Sequence, residues 1–188
     1  MNLSNEQYIV DRIKSTFQTA EVSIQREKRI ILKIRKDLLP PLVAFLKDYL
    51  NFKHLSMISG VDWPEDNEIE LVYHLLNYEN MVHLMAKIRL NREKPEMETL
   101  SPLWDRAGTY ERELHEMLGV DFPDHPDLSE FILEDWEGVP PMRRDFITKE
   151  YVMEVFEWRK GREDAKDVRT TISERYGEKL PDFDGNDQ

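Results

Sequence analysis

Residues 81–90 read MVHLMAKIRL. Val82, Leu84, Ala86, Ile88 and Leu90 alternate strictly with His83, Met85, Lys87 and Arg89. Successive side chains of an extended chain point to opposite faces, so one face here is apolar and the other polar. That is the pattern of a half-buried antiparallel strand. Two more strand candidates precede it, His54–Trp63 and Ile69–Leu76, with turn signals at Asp66-Asn67 and Asn77–Asn80. Upstream, Glu21–Gln25 and Ile30–Ile34 flank the charged turn Arg26–Arg29 and predict a β-hairpin. Two helices complete this region. Asn5–Phe17 carries Tyr8, Ile9, Ile13 and Phe17 at helical spacing after a capping Ser4. Asp37–Leu50 tolerates Pro40 and Pro41 in its first turn and presents Leu42, Phe45, Leu46 and Tyr49 as its apolar face. The fold class is α+β: a small antiparallel or mixed sheet packed with helices over residues 1–94.

Residues 95–122 read as a linker, Pro95–Pro102, and a third helix, Leu103–Leu118, packed on the domain. Leu103, Ala107, Tyr110, Leu114 and Met117 form its stripe, and Gly119 ends it. Residues 123–188 read as a long, extended, partner-binding C-terminal arm. Prolines at 123, 126, 140 and 141 forbid regular structure there, apart from a short run over Leu128–Leu133 that Asp127 can cap. Glu150–Arg159 is a last helix candidate, and the chain is polar from Gly161.

Composition excludes several functions. The net charge is −12 over 188 residues, so non-specific nucleic-acid binding and adhesion to an anionic membrane are disfavoured. No apolar run reaches a membrane-spanning length, and the N-terminus lacks the basic head and apolar block of a secretory signal. Cytoplasmic residence is the default expectation. The chain has no cysteine, so it neither ligates an iron–sulfur cluster through thiolates nor uses a cysteine nucleophile. Charged residues make up 34%, rich in Glu and Lys, a thermophile habit. No nucleotide-binding glycine motif is present.

The chemistry-bearing residues cluster between Tyr110 and Phe146. Glu111, Arg112 and Glu113 open the cluster, and Arg112 and Glu116 share a helix face as an ion-pair candidate. Pro126 holds His125 extended, and His125-Pro126-Asp127 reads as a rigid corner. Trp136, Met142, Arg143, Arg144, Asp145 and Phe146 have the residue types enriched at protein interfaces. A different reading makes Glu111, His115 and His125 ligands of a divalent metal in a free-standing enzyme. The HExxH order is absent, so no catalytic, cofactor or metal residue is assigned and a docking role is favoured.

Glu111-Arg112-Glu113, Glu116-Met117-Leu118 and His125-Pro126-Asp127-Leu128 resemble the signature of the 30-kDa subunit of respiratory complex I, the C subunit of NADH-quinone oxidoreductase. LSMISGVDWPED, ELVYHLLNYE and EDWEGVPPMRRDF, spanning Leu55 to Phe146, resemble the family too. The resemblance includes the corresponding subunits of archaeal membrane-bound [NiFe]-hydrogenases and sulfur-reducing complexes. It implies a non-catalytic peripheral-arm subunit on the cytoplasmic side of the cell membrane, attached only through its complex. It implies partners: a hydrogenase-like large subunit, a ferredoxin-like iron–sulfur subunit and a small iron–sulfur subunit. The iron–sulfur clusters, and a NiFe centre in the hydrogenase case, then reside in those partners. Ser129-Glu130 stands where quinone-reducing members usually carry basic residues, and Asp135-Trp136-Glu137-Gly138 replaces a glycine- and tyrosine-rich approach to RRDF. Both departures favour a ferredoxin-linked hydrogenase-type complex coupled to ion translocation, with NADH-quinone oxidoreductase as the alternative.

Overall fold

The computed structural model describes residues 4–155. Helix α1 spans Ser4–Thr16, so Ser4 opens the helix rather than standing before it. Strands β1 (Glu21–Arg26) and β2 (Arg29–Lys33) form the expected hairpin. A 3-10 turn, Lys36–Leu38, leads into α2 (Leu39–Tyr49), with the prolines in its first turn, where no intrahelical N–H is lost. Strands β3 (His54–Trp63), β4 (Glu68–Asn77) and β5 (Val82–Asn91) follow as a meander, and α3 covers Asp105–Leu118.

The sheet order is β1-β2-β5-β4-β3. Strand β2 pairs β5 in parallel and every other pair is antiparallel, so the sheet is mixed. The alternation of β5 is realised: Val82, Leu84, Ala86, Ile88 and Leu90 are buried. They share one core with Ile30 and Leu32 of β2, Ile69, Leu71, Tyr73 and Leu75 of β4, and the apolar faces of α1, α2 and α3. Tyr49 departs from its expected place. It is 73% exposed and stacks on Phe45 at the rim, while Leu39 and Val43 take buried positions in α2. Met117 is likewise half-buried, and Leu118 takes its place in the core.

Residues 95–102 are part of the domain, not a free linker. Met97 and Leu100 are buried, and the segment bonds to the chain after α3 through Met97 N–H to Asp121 O (2.9 Å) and Asp121 N–H to Pro95 O (2.8 Å). The expected helix over Leu128–Leu133 does not form. Residues up to Phe146 belong to the same compact unit as the sheet, so the chain divides at Phe146 rather than at residue 122. In the second unit, Thr148–Val155 is helical (α4), which covers the start of the helix expected over Glu150–Arg159. The polar stretch from Gly161 lies outside the described residues.

Helix α3 sits close on β3 because Gly60 has no side chain. A Cβ at Gly60 would lie 2.2 Å from Leu118 Cδ1 and 3.0 Å from Leu114 Cδ2. Gly60→Ala is therefore expected to cost about 2 kcal/mol through overpacking. Urea unfolding of the isolated chain measures it, and an unchanged midpoint would show that α3 lifts away freely.

Candidate docking site

The proline-rich strip after α3 is fastened by side chains that take up its backbone donors and acceptors. Glu116, on α3, accepts the N–H groups of Phe131 (2.9 Å), Ile132 (2.9 Å) and Leu133 (3.1 Å). Burial raises the Glu116 carboxyl, but the three donors and Arg112 outweigh it and hold the group below the usual glutamate range. This explains the missing helix: a carboxylate, not carbonyls four residues back, satisfies those N–H groups. Asp127 makes a local turn instead of a helix cap, accepting Ser129 N–H at 2.9 Å.

Arg112 is not the ion-pair partner of Glu116. Both grip the same strip. Arg112 Nε donates to Ser129 O at 2.7 Å, its Nη2 reaches Ser129 Oγ and Glu130 O, and its guanidinium lies over the Phe131 ring. Glu113 is exposed.

Glu111 has no face for a partner. It is fully buried and accepts Thr99 Oγ–H at 2.5 Å and Leu100 N–H at 2.7 Å. Burial pushes its carboxyl above the ordinary glutamate range, against the pull of those two donors and His125. The His125 side chain is 3% exposed and lies 3.8 Å from Glu111. Its Nδ1 accepts Asp127 N–H (3.1 Å), which leaves Nε2 to donate to Gly108 O (3.0 Å). His125-Pro126-Asp127 is thus a rigid corner, pinned to α3 by the imidazole, with Pro126 and Asp127 exposed. His115 turns away to the Val120 carbonyl, Nδ1 to O 2.8 Å. Glu111, His115 and His125 do not converge, and no group of three ligand-type side chains among the described residues is placed to hold a metal.

The far end of the strip is anchored on Asp62, at the end of β3. Its side chain is 1% exposed and accepts both Arg92 Nε (2.6 Å) and Arg92 Nη2 (3.0 Å). Asp62 also accepts Arg144 N–H at 2.8 Å, and Arg92 reaches on to Asp145 at 2.8 Å. The hydrogen bonds from Arg92 hold Asp62 below the usual carboxylate range despite burial. Arg143 Nε donates to Leu118 O (2.9 Å), capping the C-terminus of α3. Gly119, at φ +71°, lets Pro140 and Arg143 close over the helix end. Arg144 lies over the Trp63 ring, which Arg89 covers as well. Trp136 and Phe146 meet at 5.5 Å.

With its backbone tied inward, the strip turns apolar side chains outward. Phe131, Ile132, Val139 and Met142 are 42–58% exposed. Of the residues expected to meet a partner, the structure leaves Glu113, Pro126, Asp127, Met142, Arg144 and Asp145 exposed, half-buries Arg112, Trp136, Arg143 and Phe146, and encloses Glu111 and the His125 side chain. Arg92 and Thr99 carry no sign in the sequence, and Asp62, within VDWPED, reads there as core edge and turn rather than as a site. An Asp on the alternating face of a strand candidate is the one local sign that could have singled out Asp62.

The family model for the 30-kDa subunit of respiratory-chain NADH dehydrogenase matches residues 32–152. The C subunit of F(420)H(2) dehydrogenase from Methanosarcina mazei is 38% identical over 73% of this chain and 89% of its own. The C subunit of NADH-quinone oxidoreductase from Moorella thermoacetica is 40% identical over 61% of this chain and 78% of its own. A chain of the membrane-bound sulfane sulfur reductase, an archaeal respiratory membrane complex, superposes with a TM-score of 0.76 at 34% identity, covering 81% of this chain and 92% of that one. The match contains both the strip from Pro123 to Phe146 and the Asp62 and Arg92 that anchor it, and the chain belongs to the family of the respiratory-chain NADH dehydrogenase 30-kDa subunit.

Proposed function

We propose that this chain is a non-catalytic peripheral-arm subunit of a complex I-like membrane oxidoreductase, and that the fastened strip docks the hydrogenase-like large subunit. The outward row Phe131, Ile132, Val139 and Met142 carries the reading. Exposed apolar groups held on a pre-ordered backbone lose little entropy on binding, which favours tight association. Arg144 and Asp145 form the polar rim. In this reading the neighbourhood is completed by two iron–sulfur subunits, one ferredoxin-like and one small, which hold the clusters. The chain carries no redox centre and lies at the membrane only through its complex. No helix among the described residues is long and apolar enough to cross a membrane.

A ferredoxin-linked, hydrogenase-type complex that couples electron transfer to ion translocation is the preferred setting. The archaeal sulfane sulfur reductase chain and the archaeal F(420)H(2) dehydrogenase subunit, each matched over most of its length, support an archaeal-type machine. The Moorella relative supports an NADH-quinone oxidoreductase as the second reading. Purification of the tagged chain from native membranes separates them: a flavoprotein that oxidises NADH among the companions would select the second.

Ile132→Asp with Met142→Asp tests the docking face. Both side chains are more than half exposed, so unfolding of the isolated chain should change by less than about 0.5 kcal/mol. Recovery of the large subunit with the tagged chain should fall at least tenfold, as about 1.4 kcal/mol or more of interface energy is lost. Undiminished recovery would place the interface elsewhere.

A further inference from the structure

The sheet has a second face that no helix among the described residues covers. On it lie Val72 and Leu76 of β4, which are buried yet stand outside the common core, together with half-buried Ile31 and Met85. At its end the β1–β2 hairpin carries Arg26, Lys28 and Arg29, and His83, the second residue of β5, pairs with Arg29. An open hollow of about 870 Å³ lies there, lined by Ile24, Arg26, Lys28, Arg29, Met81 and His83. Met81 is 46% exposed.

The local choices at this tip work against stability. Arg26 and Arg29 face each other directly across the hairpin, and like charges in that position destabilise a pair of strands. None of the side chains of Arg26, Lys28 and Arg29 makes an ion pair with any described residue. Lys28 also sits at φ +58°, a left-handed position that glycine or asparagine fills with less strain. The acids near the tip are exposed Glu27 and buried Glu6, and Glu6 is engaged by the Lys28 backbone N–H at 2.7 Å. The positive field reaches inward. Burial, then the charges of Arg29, Lys87 and His83, holds His74 below the usual imidazole range. Such conflicts are tolerated where a site needs them.

We infer that the hairpin tip and the adjoining end of the open sheet face form a second docking surface, for an acidic segment of a protein partner with an apolar side chain that enters beside Met81. Charge complementarity selects the partner: unpaired cations in a chain of net charge −12 call for a local anion. The same net charge repels an anionic bilayer as a whole, while a peptide segment meets only the tip. The inference rests on the reading of the chain as a subunit, but on a surface separate from the strip.

The test places a photo-crosslinking phenylalanine analogue at Met81 in the tagged full chain, in native membranes, and sequences the crosslinked product. A partner peptide rich in Asp and Glu is expected. Arg26→Gln with Lys28→Gln should lower its yield roughly tenfold, and the yield should fall with added salt. Lys28→Gly gives a further readout: crosslinking drops while the melting temperature of the isolated chain holds or rises. Crosslinks to lipid alone, to a peptide without an acidic cluster, or to nothing overturn the inference. Charge-dependent binding of the isolated chain to phosphatidylglycerol vesicles through Arg26 and Lys28 overturns the choice of a protein partner. If respiratory subunits co-purify but the crosslink is absent, this surface has failed and the subunit reading stands. If an acidic peptide is captured without such subunits, the subunit reading has failed.

Discussion

Asp62→Asn should destabilise the isolated chain by about 3 kcal/mol and free the strip at its Phe146 end. The carboxylate is enclosed and serves three donors, two from Arg92 and the N–H of Arg144. An amide at this place keeps one acceptor oxygen but turns a donor toward a guanidinium that has only donors, and the exposed Asp145 is then the one carboxylate left on Arg92. Breaking one partner of a buried pair leaves the other charge uncompensated, which outweighs the net worth of the pair itself. Limited proteolysis should cut between Val139 and Phe146 in the variant and spare the wild type. Denaturant unfolding gives the energy. The pH dependence has a definite sign. Asp62 titrates below its ordinary value of 3.8 in the folded chain. Its stabilisation is therefore complete above that value and is lost as pH falls through the lowered one. The wild type should lose stability in that acid window by more than Asp62→Asn does. A variant that melts like the wild type and resists protease would show that Pro140 and Arg143 alone hold the strip down.

Much of the fold was legible because it rests on local periodicity. The β5 alternation, the hairpin around Arg26–Arg29 and the α3 stripe ending at Gly119 all have a repeat within a few residues. The strip was not legible for the opposite reason. Prolines and aspartates announce that regular structure stops, but not where the chain then goes. Its course is set by Glu116 reaching Phe131–Leu133 and by Asp62 reaching Arg144, contacts 15–17 and 82 residues apart. Nothing in the local sequence marks those donors as taken. The arm expected from residue 123 is fastened to the domain up to Phe146, because the domain's own carboxylates and carbonyls accept its backbone N–H groups. Tying the backbone inward is what turns the side chains of Ile132 and Met142 out to solvent. Glu111 misled in another way. A charged residue in a Glu-Arg-Glu run reads as surface, yet it lies on the buried side of α3, between Ala107 and Leu114.

Glu111→Ala should cost about 3 kcal/mol or more, while Glu111→Gln should cost far less. Alanine removes the acceptor of the Leu100 N–H and the Thr99 hydroxyl inside a region closed to water, and leaves a gap between α3 and residues 99–100. Glutamine keeps an oxygen for Leu100 and can present its amide to Thr99 Oγ. It also removes a charge that the fold disfavours. Burial raises the Glu111 carboxyl above its ordinary 4.5, and burial, then the charge of Glu111, drives upward the enclosed Tyr73 hydroxyl, which has no hydrogen-bond partner among the described residues. For a carboxyl raised on folding, stability is greatest below the unfolded value and falls as pH rises through the folded one. The wild type should therefore lose stability relative to Glu111→Gln as pH rises from 4.5 through that higher value, the reverse of the Asp62 window. Taking the difference between the two proteins isolates Glu111 from every other acid. A flat difference across this range would mean that the Thr99 and Leu100 donors and His125 offset burial fully. Glu111→Ala discriminates further, because it should loosen His125 and with it the corner that launches the strip, so the docking face and this buried carboxyl are expected to fail together.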